Sequence, residues 1–168
     1  LHTVRNVGLA QVETEWVCFL DGDDELEPGY FEAMEQGTAD VRAPSVRYIR
    51  RQGVVVQARM PKVAGHTHEC TAECLAWGNW LVVGSLARAE MIRSIGGFHD
   101  HSWSEDWCTH VRCRQAGATF EAIPQAVYRA HVRIGSRNRS PQRSDKLAAH
   151  REIAIELGSE RVAYALDF

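Results

Sequence analysis

No apolar run in the 168 residues approaches the roughly 20 needed to cross a bilayer. The opening Leu1-His2-Thr3-Val4-Arg5 lacks the long apolar core of a signal peptide, so the expectation is a cytoplasmic protein. Proline is scarce at 5 residues and glycine reaches only 13, which excludes collagen-like and low-complexity classes. Cysteine is scarce too. Cys18, Cys70, Cys74, Cys108 and Cys113 form an odd set without a regular framework, which fits reduced thiols rather than a disulfide scaffold. Basic residues are almost missing from positions 1–40, where ten carboxylates face Arg5 alone.

The bases are gathered at the other end. Arg129, Arg133, Arg137, Arg139, Arg143, Lys146 and Arg151 meet only Asp145 in that stretch. An acidic front suits a cation and a basic back suits an anion. Net charge is −3, and no helix-turn-helix, zinc-finger or RNA-binding aromatic pattern accompanies the bases, which argues against nucleic acid as the primary partner. With 45% hydrophobic and 24% charged residues the composition is that of a folded globular protein. A chain of this length buries about two thirds of its unfolded surface, and 1–168 reads as one domain. His66-x-His68-x-Cys70-x3-Cys74 offers four zinc-type ligands, but its spacing is tighter than paired knuckles, and the segment reads rather as a polar loop entering a short helix than as a zinc site.

Residues 4–12 read as the end of a helix, and Glu15–Leu20 as a buried, parallel-type strand that stops at acids. Pro28-Gly29 opens a helix running to about Gln36. Val41–Ile49 and Gly53–Arg59 flank a turn and predict a hairpin. Residues 61–79 predict a loop with one helical turn near Ala72–Trp77, and Trp80–Leu86 a further buried strand. A helix over Arg88–Ile95 should end at Gly96-Gly97. Ser104 is placed to cap a helix through Ala116 whose first turn carries carboxylates. Strands at Ala118–Ile123 and Ala126–Val132 should flank Pro124. Residues 133–144 read as a mobile loop and 145–158 as a C-terminal helix.

The chemistry concentrates in Phe19-Leu20-Asp21-Gly22-Asp23-Asp24-Glu25-Leu26, where a strand delivers carboxylates at i and i+2. Hard ions such as Mn²⁺ or Mg²⁺ take oxygen ligands and complete their shells with phosphate and water. A nucleotide diphosphate suits such a site. Acid clusters in loops also occur without any metal.

The surrounding residues resemble the central block of family 2 glycosyltransferases. These are Arg5-Asn6-x-Gly8-Leu9, then Glu15-Trp16-Val17-x-Phe19-Leu20-Asp21-x-Asp23-Asp24-x-Leu26-x-Pro28, with Val4 where the family has alanine. Gly84-Ser85-Leu86-x-Arg88 and Ile95-Gly96-Gly97-Phe98 are similar to the family's segment before the acceptor site. Ser104-Glu105-Asp106-Trp107, with Arg112 and Gly117 downstream, resembles its Glu-Asp motif, and Val127-Tyr128-Arg129-x-His131 its closing strand. The matches keep the family's order from Arg5 to His131.

The resemblance implies an α/β fold of the GT-A type, a mixed and mostly parallel sheet flanked by helices, shortened at its N-terminus. It implies a metal-dependent, inverting transfer of a sugar from a nucleotide-diphosphate donor, UDP-sugars foremost, to an acceptor hydroxyl. Asp23, Asp21 and His131 would then hold Mn²⁺ or Mg²⁺, and Arg5, Asp21, Asp23 and Arg137 the donor. Asp106 would be the base, with Glu105 orienting the acceptor or the base. Arg133, Arg137 and Arg139 suit a lid over the pyrophosphate hinged at Gly135, and equally a solvated loop. Among Trp77, Trp80, Trp103 and Trp107 most should be core; Trp103, beside the Glu-Asp pair, is the candidate acceptor platform.

The family's usual βα units before the Arg-Asn segment do not precede it here. A homo-oligomer or a companion chain is therefore expected to complete the donor site. Two other readings stay open: a non-catalytic sugar-binding or assembly module that keeps a partial GT-A fold, and a two-metal phosphotransferase or nuclease.

Overall fold

Val41–Ile49 is rich in β-branched residues, and a strand there, β3 (Val41–Arg50), forms the spine of the sheet. The computed structural model describes residues 1–50, 55–59, 70–100, 105–132 and 143–157. Ahead of β3 come α1 (His2–Ala10), β1 (Trp16–Cys18), β2 (Glu25–Leu26) and α2 (Tyr30–Met34). After it come β4 (Val55–Arg59), a 3-10 helix (Ala72–Ala76), β5 (Leu86–Arg88) and α3 (Ala89–Ser94). The chain then forms α4 (Glu105–Gln115), β6 (Phe120–Val132) and α5 (Arg143–Leu157). Strand order is β1-β5-β3-β6-β2, with β4 also paired to β3.

The sheet is mixed, as expected, but not mostly parallel. Among the described residues β3 and β6 pair in parallel, from Val41↔Phe120 to Arg50↔Val132, and the other pairings are antiparallel. The correction has a plain cause. An apolar run reports that a strand is covered on both faces and carries no information on its partner's direction, and β1 pairs antiparallel with β5, Trp16↔Arg88 to Cys18↔Leu86.

The hairpin of β3 and β4 is present, with Val46↔Arg59 and Arg47↔Ala58 in register. The two strands expected around Pro124 are one. Ile123 faces Pro44 and Val127 faces Ser45, so residues 124–126 bulge out of the ladder. Proline lacks the N–H that a ladder needs, and the bulge is where it is tolerated. Ser45 Oγ donates to Pro124 O at 3.0 Å and fastens the bulge.

The apolar run at 80–86 becomes strand only at its end. Trp80, Leu81 and Val83 are buried in irregular backbone, with Ser85 N–H bonded to Val82 O at 2.9 Å. Gly84 explains this locally, because a Cβ there would fall inside the Tyr128 ring and Tyr30 Oη donates to its carbonyl. Trp80, Leu75, Val41, Trp107, Val111 and Ile153 share the main core cluster, which packs α4 and α5 onto the sheet. Among the described residues no helix is long and apolar enough to cross a membrane.

Asp40 ties the start of β3 to its neighbours. Its carboxylate accepts from Thr119 N–H at 2.9 Å and Thr119 Oγ1 at 2.7 Å, and from Arg88 Nε at 2.9 Å. These donors, Thr119 N–H first, hold the carboxyl below its usual value. Its stabilisation is therefore complete above the unfolded value of about 3.9 and is lost as pH falls through the folded one. Asp40→Asn should unfold at lower denaturant than wild type at pH 7, and the gap should close as pH drops toward 3. Urea melts at both pH values measure this; a gap that stays constant would exclude a charged role.

Candidate active site

The site begins with the Arg5-Asn6 pair on α1. Asn6 Nδ2 donates to Phe98 O at 2.7 Å, and Phe98 N–H donates to Asn6 Oδ1 at 2.8 Å. Gly97 makes this clamp possible: its φ is +78°, and a Cβ would lie 2.5 Å from Asn6 Oδ1. The Arg-Asn and Gly-Gly-Phe segments, remote in sequence, are thus one structural unit.

Arg5 points the other way and is buried, with 9% of its side chain exposed. Nη2 donates to Asp21 Oδ1 and Nη1 to Glu105 Oε1, both at 3.0 Å, with the guanidinium 5.5 Å from the Phe98 ring centroid. One cation therefore joins the acids beyond β1 to those at the head of α4. Expected at the donor, it bonds two carboxylates here. Glu105, also buried, is held by Arg5.

Asp106 sits beside it in the first turn of α4, where the helix dipole favours negative charge. Oδ1 accepts Trp107 N–H at 2.8 Å and Oδ2 accepts Asn79 Nδ2 at 3.1 Å. Asn79 Oδ1 is occupied by Leu81 N–H at 3.2 Å, which leaves the amide only its NH₂ face to offer Asp106. Burial raises the Asp106 pKa; Trp107 N–H, the Arg5 charge and Asn79 pull against it, and burial prevails. One helical turn on, burial with the Arg5 charge pushes His110 down to about 3, so its imidazole is neutral at physiological pH. The cavity below, lined by Asp106, His110, Phe19, Ser85 and Phe98, measures about 10 Å³, room for about one water. Substrates must therefore approach from the open side.

Beyond β1, Asp21 is 42% exposed and Asp23 is exposed. The turn they occupy is closed by Asp24 N–H to Asp21 O at 3.0 Å. Asp24 is a latch: its carboxylate accepts Tyr128 Oη at 2.6 Å and His131 N–H at 2.8 Å, and burial raises its pKa. His131 Nε2 lies 3.1 Å from Glu25 Oε1. Among the described residues no three His, Cys, Asp or Glu side chains converge as a cation site, so the expected trio Asp21, Asp23 and His131 does not gather. Its members are drawn apart by partners, Arg5 for Asp21 and Glu25 for His131. Two carboxylates on an open edge still fit an ion that takes its remaining oxygens from diphosphate and water.

Trp103, Ser104, Arg137, His66 and His68 lie outside the described residues. Cys70 and Cys74 are buried. Asn79 and the Tyr128–Asp24 latch were not foreseen; neither sits near its partner in sequence, and a lone asparagine carries no periodic signal.

No protein-family model and no curated protein sequence matches the chain. Solved structures share its fold. TarS of S. aureus, residues 1–349 in complex with UDP-GlcNAc, aligns with a TM-score of 0.67 at 20% identity, over 95% of this chain and 48% of that one. The complex with UDP gives 0.62 at 19% identity, over 95% and 46%. Longer TarS gives 0.59 at 19% identity, over 94% and 27%. The likeness shows that this chain, a mixed sheet with helices, shares the fold of TarS. The chain spans about half the length of TarS 1–349.

Proposed function

We propose that this chain carries the acceptor and metal side of a family 2-like, inverting glycosyltransferase that uses a nucleotide-diphosphate sugar, UDP-linked first. The observation that carries this reading is Asp106. A carboxyl whose pKa is raised by burial and which Asn79 and Trp107 N–H orient follows Glu105, which Arg5 joins to Asp21. The fold it stands on is shared with a protein solved with UDP-GlcNAc.

In the reaction the acceptor hydroxyl gives its proton to the Asp106 carboxylate as its oxygen bonds to the anomeric carbon. The bond from that carbon to the diphosphate breaks on the opposite face, its electron pair leaves with the nucleotide, and configuration inverts. Arg5 holds Glu105 and Asp21 in place around this event. Asp21, Asp23 and His131 would hold Mn²⁺ or Mg²⁺, which would supply positive charge to offset that of the diphosphate. Glu105 and Trp103 belong to the acceptor side in this reading, and Arg137 to the donor.

In this reading a companion chain or a second copy docks on an apolar face of the chain. Support comes from the surface of α1, where Leu1, Val4 and Val7 are 58%, 74% and 63% exposed, with Leu20 at 49% beyond the end of β1. Apolar residues gathered this way mark an interaction face.

Calorimetric titration of UDP, GDP and dTDP, with and without Mn²⁺, tests the reading. One nucleotide should bind saturably to wild type, and should bind neither without Mn²⁺ nor to Asp23→Ala. Binding that ignores both the metal and Asp23 would remove the donor site from these residues.

A further inference from the structure

Of the acids in the turn after β1, Asp24 is engaged differently from Asp21 and Asp23. Both of its carboxylate oxygens are taken up inside the fold: Oδ2 accepts Tyr128 Oη at 2.6 Å and Oδ1 accepts His131 N–H at 2.8 Å. Its own N–H closes the turn on Asp21 O at 3.0 Å. Downstream, β2 contributes only the pairs Glu25↔Arg129 and Leu26↔Tyr128 to hold this part of the chain against β6. Tyr128 is fixed in its turn by packing. It is 0% exposed, shares a core cluster with Val46 and Val83, and lies so close to Gly84 that a Cβ there would fall on its ring. A ring packed on all sides keeps its rotamer, so the place of its hydroxyl is set before any ligand arrives.

We propose that Tyr128, acting through Asp24, is a positioning residue that sets how tightly the turn carrying Asp21 and Asp23 holds Mn²⁺ or Mg²⁺, and that Asp24 is not itself a ligand. The proposal rests on the metal-dependent reading above. An ion held by few protein oxygens depends on their being ordered beforehand, since ordering them on binding subtracts from affinity. Partners behind the ligands supply that order, and losing one lowers metal affinity about ten- to hundredfold. The Asp24 carboxylate also takes the His131 N–H, so one residue fixes both segments that carry the candidate ligands. Residues 79–85 then brace two parts of the site: Asn79 bonds Asp106, and Gly84 seats the Tyr128 ring.

The test is equilibrium dialysis of UDP against the full chain at increasing MnCl₂, for wild type, Tyr128→Phe, Asp24→Ala, the two combined, and Ser45→Ala. Tyr128→Phe keeps the ring and removes only the hydroxyl. Ser45→Ala is the control, because it removes a hydroxyl bond from β3 to the same strand β6, at Pro124 O, and leaves the phenol. Tyr128→Phe should raise the Mn²⁺ midpoint about tenfold or more with the amount of UDP bound at saturation unchanged. Ser45→Ala should leave the midpoint where it is. Asp24→Ala should raise it at least as far as Tyr128→Phe does, and adding Tyr128→Phe to it should change nothing further, because the phenol then has no carboxylate to hold. A wild-type midpoint in Tyr128→Phe would overturn the positioning role. So would full additivity of the two substitutions, which marks independent losses, and so would less UDP bound at a constant midpoint, which marks partial unfolding. Wild type separates the two readings. No UDP bound at any Mn²⁺ concentration removes the cation site itself, whereas Mn²⁺-dependent binding that Tyr128→Phe leaves intact removes only the positioning.

Discussion

Asp106→Asn should lower turnover by roughly a hundred- to ten-thousand-fold, the range over which a positioned general base accelerates proton transfer, with nucleotide binding unchanged. The substitution keeps the shape and the acceptor for Trp107 N–H, and removes the negative charge. Burial raises the Asp106 pKa, so its ionised form costs stability at neutral pH. Asparagine relieves that cost. Against it stands a donor facing a donor, because Asn79 must keep its oxygen toward Leu81 N–H, a loss of about 1 kcal/mol. The melting temperature should therefore move by no more than a few degrees while activity disappears. Adding Asn79→Asp to the variant restores a hydrogen-bonded pair and should restore stability without restoring turnover. In the wild type the raised pKa should place the acid limb of the kcat profile above the ordinary carboxylate range. A variant that retains turnover would remove Asp106 as the base; ligand binding indifferent to the substitution, with turnover in neither protein, would favour a binding module.

The second large effect is on stability. Arg5→Ala leaves Glu105, 11% exposed at its side chain, without its counter-charge. Breaking a buried pair from one side costs about 3–5 kcal/mol, out of a total of about 5–15 kcal/mol for a domain. At about 2–4 °C per kcal/mol for a chain of this size, melting should fall by roughly 6–20 °C. Arg5→Lys should recover only part, since a single ammonium cannot bond two carboxylates in the fork geometry that a guanidinium offers. Pairing Arg5→Met with Glu105→Gln removes both charges and should recover more than the lysine does. Thermal melts of wild type, Arg5→Met, Glu105→Gln and the double variant form a double-mutant cycle. A cost below about 1 kcal/mol for Arg5→Ala would reduce the bridge to the rank of a surface pair.

The elements that were legible in sequence are those fixed by local chemistry. α3 stops at Gly96 and Gly97 because both take φ near +80°, a conformation that glycine adopts without penalty. The hairpin of β3 and β4 follows from β-branched alternation on either side of a turn. The carboxylates of α4 sit in its first turn, as the dipole prefers. The resemblance of the ordered motifs to a glycosyltransferase family likewise needed only the residues in line, and the α/β fold it implied is one this chain shares with TarS.

Partner choice was not legible. That β1 lies antiparallel to β5, that Pro124 sits in a bulge, and that residues 80–85 are buried loop all depend on which chain segment arrives alongside. Burial looks the same in sequence whatever covers it.

By itself, then, the sequence determined where helices end, which runs are buried, and that acids gather behind one strand, since each depends on neighbours within a few positions. Only the tertiary structure decided what those acids do. It gave Asp21 and Glu105 to one buried arginine, turned Asp24 into a latch for Tyr128, and brought Asn79 to Asp106. Hydrogen bonds of about 3 Å between residues far apart in the chain are set by packing, and pKa follows from packing in turn, so the identity of a base becomes visible only in the folded molecule.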